Sequence, residues 1–340
     1  MRGIDIRPMD DGDVDRVVAL LAEALGPAPG GVDRRELFVW KHLASPFGRS
    51  IALVAEAGGE IVGLRAFMRW PLATGEGEGE VVHAVRAVDT ATSPAMQRRG
   101  VFSALTRAGL EECRRQRIAL VFNTPNSRSL PGYLQLGWRP VARWPVRILP
   151  RRSVKMARAA FRRDLRAGPG LEVPGEAADD AGIFLERRSA WVQGLVRRAA
   201  AGTTALHTPR TMAYLRWRYA SGPIRYVAAG RGEAMVAARV RRRGPLTEAV
   251  ICESLASPEG ERDLRGLLRG FPAAVGADHG VVLGGTAWRE EGVARRAGYR
   301  RIPHAGMTFV VRLLEAKTAG GWDPLDARSW ALTLGDLEVL

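Results

Sequence analysis

Hydrophobic and polar positions follow two different periods in the N-terminal half of the chain. Residues 14–25 (VDRVVALLAEAL) carry apolar side chains three and four positions apart, which predicts an amphipathic helix. Residues 51–68 (IALVAEAGGEIVGLRAFM) predict a hairpin with its turn at Gly58 and Gly59, and residues 81–91 predict another strand. Strands and helices interleaved in this way predict an α/β fold with a mixed sheet.

The pattern changes after residue 150. A basic stretch, PRRSVKMARAAFRRDLRAGPG, leads into glycine, proline and acidic residues. We therefore predict a first domain over residues 1–150, a linker over 151–178 and a second domain over 179–340. In a chain of 340 residues, each domain is long enough to bury a core.

Two segments of the first half recur in the second half. FVWKHLASPFGRSIALVAEAGGEIVGLRA resembles YLRWRYASGPIRYVAAGRGEAMVAARV with a shift of 177 residues (Trp40 to Trp217). GYLQLGWRPV resembles ARRAGYRRI with a shift of 161 residues (Gly137 to Gly298). Because both matches occur in the same order, they favour two related domains over chance.

The chain is strongly basic, with 51 Lys and Arg against 36 Asp and Glu and a formal net charge of +15. This balance favours anionic ligands such as phosphates, nucleic acid or acidic membrane surfaces, but a solvated surface encoded by a GC-rich genome is an equal alternative. Cys113 and Cys252 are far apart, and the sequence shows no secretory signal and no long apolar run. We expect a reduced, cytoplasmic protein without a membrane partner. The five scattered histidines predict no metal site, and the oligomeric state stays open.

The loop QRRG at residues 97–100 is the strongest candidate site. A predicted strand precedes it, and the apolar-periodic helix VFSALTRAGLEECRRQ begins directly after it. The first amides of a helix have no internal acceptors and lie at the positive end of the helix dipole. Gly100 lets the backbone approach an oxygen closely, and Arg98 and Arg99 add positive charge. The loop suits a pyrophosphate; an ordinary helix start with solvated arginines is the alternative.

Two segments together resemble the GNAT acetyltransferases, which use acetyl-coenzyme A (acetyl-CoA). One signature of that family is Gln or Arg, two residues, Gly, one residue, and then Gly or Ala; residues 97–102 match it except that Phe102 replaces the final small residue. The other signature is met in order and spacing by Asn126, Ser129, Tyr133, Gly137 and Trp138. The resemblance implies a cofactor site formed by Ala87, Val88, Asp89, Gln97, Arg98, Arg99, Gly100, Val101, Phe102, Asn126 and Ser129.

The resemblance also implies how these residues act. In the family, the fourth and fifth strands splay apart and hold the pantetheine arm between them. The amide of Val88 would then stabilise negative charge on the thioester oxygen as an amine attacks. Tyr133 would donate a proton to the departing thiolate, with a packing role as its alternative. Asn126 would bind the cofactor arm, cap a helix, or do both.

The sequence does not identify the general base or the acceptor. Candidates for the base are Glu36, His83, Asp89, Asp336 and Glu338. Candidates for the acceptor site are Glu36, Trp40 and Asp336, because family members bind acceptors near the corresponding helix and some bring a C-terminal segment back to the active site. The C-terminal SWALTLGDLEVL is expected to be strand-like.

For the second half, the resemblance is to the fold alone. Its AGY pair comes without an equivalent of Tyr133, and its helix PEGERDLRGLLRGF lacks the Gln or Arg of the loop signature. The resemblance therefore implies tandem GNAT-like domains, each a mostly antiparallel mixed sheet flanked by helices, of which the second is degenerate and shapes the acceptor site. We expect one acetyl-CoA per chain.

The function that follows is transfer of an acetyl group from acetyl-CoA to an amine of a small molecule in a ternary complex. One alternative is a tandem relative that uses aminoacyl-tRNA, which the positive charge would suit but the intact QRRG loop argues against. Another is a non-catalytic nucleic-acid-binding or regulatory module, for which the sequence shows no helix-turn-helix or aromatic-basic motif. The acceptor and the preferred acyl length stay open.

Overall fold

A computed structural model describes residues 3–74, 81–162, 165, 167–171, 178–200, 204–286, 290–315 and 322–337. The chain divides into two compact units, and neither is continuous in sequence. Unit 1 comprises Met1–Leu72, Val81–Ala142 and Thr308–Leu325, and unit 2 comprises Ala73–Glu80, Arg143–Met307 and Asp326–Leu340. The sequence predicted contiguous domains instead, with the boundary at residue 150.

The described elements are as follows in chain order. Residues 3–150 form β1 Asp5–Pro8, α1 Val14–Leu25, α2 Arg34–His42, β2 Ile51–Ala57, β3 Glu60–Arg69, β4 Leu72–Ala73, β5 Val81–Val82, β6 Ala84–Thr92, α3 Val101–Arg115, β7 Leu120–Asn123, α4 Leu130–Gln135 and β8 Arg139–Pro150. Residues 151–337 form α5 Ser153–Phe161, β9 Ala167–Gly170, β10 Asp179–Asp180, α6 Ala181–Arg187, α7 Ser189–Ala200, α8 Met212–Tyr219, β11 Val227–Arg231, β12 Ala234–Arg243, β13 Leu246–Ala256, α9 Glu261–Ala274, β14 His279–Leu283, α10 Glu290–Arg296, β15 Arg300–Leu313 and α11 Leu334–Leu337.

The sheet of unit 1 has the strand order β1-β2-β3-β6-β7-β15. Among the described strands, neighbours in this order pair antiparallel except β6 with β7, which are parallel. The predicted hairpin of β2 and β3 is present, with Gly58 and Gly59 at φ 60° and 84° in its turn. This is the mostly antiparallel mixed sheet that the family resemblance implied.

Helices cover both faces of this sheet because its strands alternate apolar side chains between the two faces. Helix α3 packs on one face through a cluster that includes Leu105 and Phe67, and α1 packs on the other through a cluster that includes Val17 and Leu64. A Cβ atom at Gly63 of β3 would lie 2.8 Å from Leu105 of α3. The helix backbone therefore lies close against the strands, which fixes where the N-terminus of α3 emerges.

Unit 2 repeats this plan with the strand order β8-β14-β13-β12-β11-β10, and with β9 on the far part of β12. Its one parallel pairing among the described strands joins β13 to β14. Helices α9 and α10 follow β13 and β14 as α3 and α4 follow β6 and β7. Gly137 and Gly298 end α4 and α10 with φ values of 85° and 100°. The repeated order supports the duplication predicted from the sequence.

Each unit takes its last strand from the other half of the chain. The end of β15 pairs with β7, where Val310 lies opposite Asn123. The end of β8 pairs with β14, where Ile148 lies opposite Val281. This exchange is the reason why the two units are discontinuous in sequence.

Two further parts of the chain differ from the sequence prediction. The predicted linker 151–178 contains α5 and β9, which belong to unit 2. The C-terminal segment, predicted to be strand-like, makes one isolated bridge between Trp330 and Leu206 and then forms the short helix α11.

None of the helices in the described residues has the length and apolar character that crossing a membrane requires. The described residues also contain no cluster of three His, Cys, Asp or Glu suited to a metal.

Candidate functional site

The start of α3 is an open helix terminus. Gly100 precedes the helix with φ 81° and ψ 3°, and no side chain caps the first turn. The amides of Val101 and its successors therefore lack internal acceptors. Arg98 also has a positive φ, 60°, and residues 97–100 are all exposed. Exposed arginines beside uncapped amides form an arrangement that fits an anionic ligand.

Phe102, the departure from the family signature, has a packing role. Its ring lies edge-on to the ring of Tyr133, with centroids 5.8 Å apart. A Cβ atom at Gly132 of α4 would lie 3.1 Å from the Phe102 ring. The large side chain thus fills space between α3 and α4, while its amide stays in the first turn of α3.

Strands β6 and β7 separate beyond a short paired stretch. Their parallel pairing runs from Ala84 opposite Leu120 to Arg86 opposite Phe122 and goes no further. The pairing thus stops one residue before the end of β7, which is compatible with the splay that the family resemblance implies. It leaves the edge of β6 after Arg86 without a neighbouring strand on that side.

The same part of β6 contains a bulge. Ala66 of β3 lies opposite Val88 and Leu64 lies opposite Ala91, so Asp89 and Thr90 together face one residue of β3. Asp89 has φ 43°, in the left-handed region. The bulge therefore turns the backbone beside the open edge.

Backbone orientation alternates along β6 before the bulge. The Trp70 amide donates to the Ala84 carbonyl at 2.9 Å, so the backbone groups of Ala84 point toward β3. By alternation, those of Val88 also point toward β3, and those of Ala87 point toward the open edge. The carbonyl of Val88 and the amide of Asp89 belong to one peptide and point in opposite directions. The Asp89 amide is thus directed to the open edge.

Tyr133 on α4 is buried and is held by an arginine that sequence reasoning missed. Arg65 Nη1 donates to the Tyr133 hydroxyl at 2.8 Å and also donates to Thr90 Oγ1. Since a guanidinium only donates, the phenol oxygen accepts and its own proton is free to point elsewhere. The guanidinium carbon lies 4.5 Å from the centre of the Phe67 ring and 5.1 Å from that of Tyr133.

Arg65 is fully buried, and its Nε and Nη2 atoms have no hydrogen-bond partner among the described residues. A buried guanidinium without a carboxylate costs free energy unless something offsets it. The signal in the sequence was a single arginine inside the otherwise apolar strand IVGLRAFM.

The Asp89 side chain is bound by two residues from the end of α2. Lys41 Nζ lies 2.5 Å and His42 Nε2 lies 2.8 Å from Asp89 Oδ2, and both side chains are buried. His42 Nδ1 lies 2.8 Å from Ser50 Oγ. A carboxylate only accepts, so a neutral His42 carries its proton on Nε2 and accepts from the Ser50 hydroxyl.

These contacts determine the charge states. Burial opposes ionisation of Asp89, but Lys41 and His42 together hold the pKa of its carboxyl well below the usual range. Burial lowers the pKa of His42, although its hydrogen bond to Asp89 raises it in part. Asp89 is therefore a poor proton acceptor, which argues against it as the general base.

Asn126 caps the turn before α4. Its Oδ1 accepts from the amides of Arg128 and Ser129, each at 3.0 Å. The Ser129 hydroxyl also lies 3.2 Å from this oxygen. Asn126 thus caps the turn that precedes α4, whereas the N-cap residue of the helix itself is Ser129. The side-chain NH2 group of the exposed Asn126 takes no part in these contacts.

Comparison with known proteins identifies the fold around these residues. Residues 5–141 match the family model of the acetyltransferase (GNAT) domain. The chain carries a GNAT acetyltransferase domain. The protein is therefore an enzyme of acyl transfer, as the sequence resemblance implied.

Solved structures extend the likeness beyond that domain. Eis1 from Mycobacterium abscessus matches with 17% identity and a TM-score of 0.55, over 92% of this chain and 73% of that one. A probable N-acyltransferase from Enterococcus faecalis matches with 14% identity and a TM-score of 0.63, over 92% and 72%. Saccharomyces cerevisiae N-myristoyltransferase matches with 11% identity and a TM-score of 0.59, over 100% and 87%. At these identities the likeness shows the fold. No curated protein matches the sequence.

The remaining candidates in the GNAT domain lie on α2 and directly before β6. Glu36 is exposed in the first turn of α2, where its amide donates to the Asp33 carboxylate at 2.7 Å. Trp40 is buried in the same helix. The backbone carbonyl of His83, next to β6, accepts from the Ala119 amide. Of the two acceptor-site candidates on α2, Glu36 alone has its side chain exposed.

Asp336 lies in a buried network of unit 2. Its Oδ2 accepts from Arg210 Nη2 at 2.8 Å and from the Thr333 amide at 2.7 Å, and its Oδ1 accepts from the Tyr214 hydroxyl. Burial opposes ionisation, while Arg210 lowers the pKa of the carboxyl below its usual value. A fully buried carboxylate with these partners argues against an acceptor-binding role. Glu338 lies outside the described residues.

At the corresponding place in unit 2, between β13 and β14, the cavity is small. Pairing of β13 with β14 ends at Val250 opposite Val281. Beyond that point, residues 332–334 line the gap together with residues 251–254, and the cavity that remains is about 30 Å³. Such a cavity has room for a water or two but not for a pantetheine arm. The first turn of α9 also carries acidic Glu261 and Asp263, where α3 has no acidic residue.

Proposed function

We propose that the GNAT domain transfers an acetyl group from acetyl-CoA to an amine of a small molecule. The observation that carries this proposal is the convergence of three features in unit 1. These are the uncapped, arginine-flanked start of α3, the open and bulged edge of β6, and the buried phenol of Tyr133.

The described residues fit acetyl-CoA. The first amides of α3, with Gln97, Arg98 and Arg99, would hold its phosphates. The open edge of β6 at Ala87 and the NH2 group of Asn126 would hold the pantetheine arm. When bound, acetyl-CoA supplies the activated acyl thioester, and the protein supplies binding, orientation and proton transfer.

We place the oxyanion donor at the amide of Asp89 rather than at Val88. Alternation along β6 turns the Val88 backbone toward β3, whereas the Asp89 amide faces the open edge. A preorganised donor of this kind is worth about 2.7 to 4 kcal/mol in oxyanion holes.

Tyr133 is the proposed general acid. Arg65 donates a hydrogen bond to the phenol oxygen of Tyr133, so the phenol proton is available to a departing thiolate. The two nitrogens of Arg65 without partners place further donors in the same region. The buried Arg65 guanidinium lies beside the reacting group, and contact between this cation and a long apolar acyl chain would be unfavourable. This supports a short acyl group.

On the acceptor side, Glu36 stays as the candidate that is exposed and acidic. Full burial and a lowered carboxyl pKa remove Asp336 from the proposal for the base, and a carboxyl pKa that Lys41 and His42 hold well below the usual range removes Asp89. The open loop at α3 also supports coenzyme A over an aminoacyl-tRNA as donor.

Calorimetry with coenzyme A and a thiol-release assay with acetyl-CoA test the proposal. We expect one binding site per chain, because the cavity at the corresponding place in unit 2 is small, and thiol release that depends on an amine in a panel of amines and amino sugars. Acyl-CoAs of increasing chain length would show whether acetyl is preferred. Absence of coenzyme A binding would contradict the proposal, and two equivalent sites would contradict the account of unit 2.

A further inference from the structure

We infer that Lys41 and His42 are positioning residues for acyl transfer, because they hold the Asp89 side chain and so fix the bulged backbone whose amide faces the open edge of β6. The inference rests on the function proposed above. It assigns a role to two buried side chains that neither sequence signature contains.

The backbone of Asp89 needs an external constraint. Its φ of 43° makes it one of three non-glycine residues with positive φ among those described, the others being Arg98 and Arg117. The left-handed region is unfavourable for residues with a Cβ atom and persists where surrounding contacts fix it. Aspartate tolerates this region better than most residues, but tolerance alone does not select one conformation.

The contacts of the Asp89 carboxylate supply that constraint. Lys41 and His42 both bind Oδ2, so the carboxylate is held from one side. No partner for Oδ1 is present among the described residues, and 24% of the Asp89 side chain is exposed. The carboxylate is thus anchored to the end of α2 through a single oxygen.

The anchoring residues are themselves fixed. His42 contacts Ser50 Oγ at 2.8 Å, and its ring lies 4.5 Å from that of Phe38. The Ser50 amide donates to the His42 carbonyl at 2.9 Å, which fastens the end of α2 to the start of β2. Only 2% of the Lys41 side chain is exposed. A rigid helix end therefore sets the position of the bulge through one carboxylate oxygen.

Stability alone does not account for this arrangement. Buried ion pairs often contribute no more to stability than apolar side chains of similar volume, and their clearest use is to select one conformation. Here the conformation selected is that of the residue whose amide is the proposed oxyanion donor. Preorganisation of such a donor affects turnover more than binding of the ground state.

Lys41→Met and His42→Ala test the inference, with His42→Gln as the variant that restores a donor to Asp89. Arg7→Met is the matched control. It removes an ion pair of 2.6 Å to the buried Asp13, at the join of β1 and α1. The measurements are kcat and KM for thiol release, the carbonyl ¹³C shift of bound acetyl-CoA, and the amide NMR signals of residues 87–91 in the ligand-free protein.

We expect Lys41→Met and His42→Ala to lower kcat about tenfold, a fraction of what loss of a whole oxyanion donor costs. KM for acetyl-CoA should change little, the carbonyl signal should lose part of its downfield shift, and the amide signals of residues 87–91 should move or broaden. His42→Gln should recover part of kcat. Arg7→Met should lose stability while it keeps kcat and these signals.

The outcomes separate this inference from the proposed function. Unchanged amide signals together with unchanged kcat in folded Lys41→Met and His42→Ala would overturn the positioning role. Equal losses of kcat in Arg7→Met would overturn it as well, by showing a general effect of stability. The wild-type protein could fail to bind acetyl-CoA while the amide signals still move in Lys41→Met. That result would support the role of Lys41 in fixing the bulge and would contradict the proposed reaction.

Discussion

Replacing Tyr133 by Phe removes one oxygen atom from the buried cluster between α4 and β3. The ring keeps its edge-on contacts, at 5.8 Å from the centre of Phe102 and 5.0 Å from that of Trp138. What the substitution removes is the proposed proton donor and one acceptor of Arg65. It therefore has two effects, one on turnover and one on stability.

The size of each effect follows from the structure. A positioned general acid contributes about 10²- to 10⁴-fold to the rate, which corresponds to roughly 3 to 5 kcal/mol of transition-state stabilisation. The lost hydrogen bond involves a charged donor that is fully buried, so the folded state should lose about 1.5 to 3 kcal/mol. Kinetics must therefore be measured where the variant is fully folded.

The assay measures thiol release for kcat and KM, with calorimetry for the affinity of coenzyme A. We expect kcat to fall by at least a hundredfold while the affinity stays nearly intact. Thr90→Val is the matched control, since it also removes an acceptor of Arg65 but keeps the phenol. Its kcat should fall at least tenfold less. A folded Tyr133→Phe that turns over at the parent rate would show that Tyr133 is a packing aromatic and that the acid lies elsewhere.

Three further predictions concern the loop, the network of unit 2 and the cysteines. Replacing Arg98 and Arg99 with Ala should weaken coenzyme A binding about tenfold or more in calorimetry, because charge-assisted hydrogen bonds to phosphate are lost, and unchanged affinity would mean that both are solvated. Burial raises the pKa of Glu253 from 4.5 to about 7, so the stabilising contribution of the protonated carboxyl is fully present below pH 4.5 and is lost as pH rises to 7. Urea unfolding should show a loss of about 3 kcal/mol over this range. The same dependence of unfolding free energy on pH in Glu253→Gln would refute this. Cys113 and Cys252 are both buried, and burial raises the pKa of the Cys113 thiol to about 12. Neither thiol should therefore react with a disulfide reagent until the protein unfolds. Rapid labelling of the native protein would contradict their burial.

The local elements of the GNAT domain could be predicted because they depend on neighbours in sequence. Helix α1 has the predicted bounds, residues 14–25, since its apolar spacing and its buried face are the same residues. The hairpin turn at Gly58 and Gly59 was equally local. The loop before α3 could be located because QRRG directly precedes an apolar-periodic helix, and in the structure Gly100 there has a positive φ.

Contacts that depend on strand register could not be predicted. Arg65 meets Tyr133 only because β3 passes beneath α4, and Lys41 meets Asp89 only because a bulge turns that side chain toward α2. Neither contact produces a periodic pattern in the sequence. A single charged residue in an apolar strand or helix resembles a surface position. The same limit applied to Asp336, whose acidity in a basic chain pointed to the site, whereas the structure pairs it with buried Arg210.

The second unit has a GNAT-like strand order but differs at the positions where we propose that unit 1 binds coenzyme A. Gly260 occupies the place of Gly100 but has φ −81° rather than 81°, and the turn after it is acidic. We expect that restoring the loop signature there would not create binding, because residues 332–334 line a small cavity between β13 and β14 and Asp336 binds Arg210. Breaking the Arg210–Asp336 ion pair would leave Arg210 with Glu253 as its remaining buried carboxylate partner among the described residues. The two units thus share a strand order, but we expect the chemistry in unit 1 alone, where an uncapped helix start flanked by arginines follows β6.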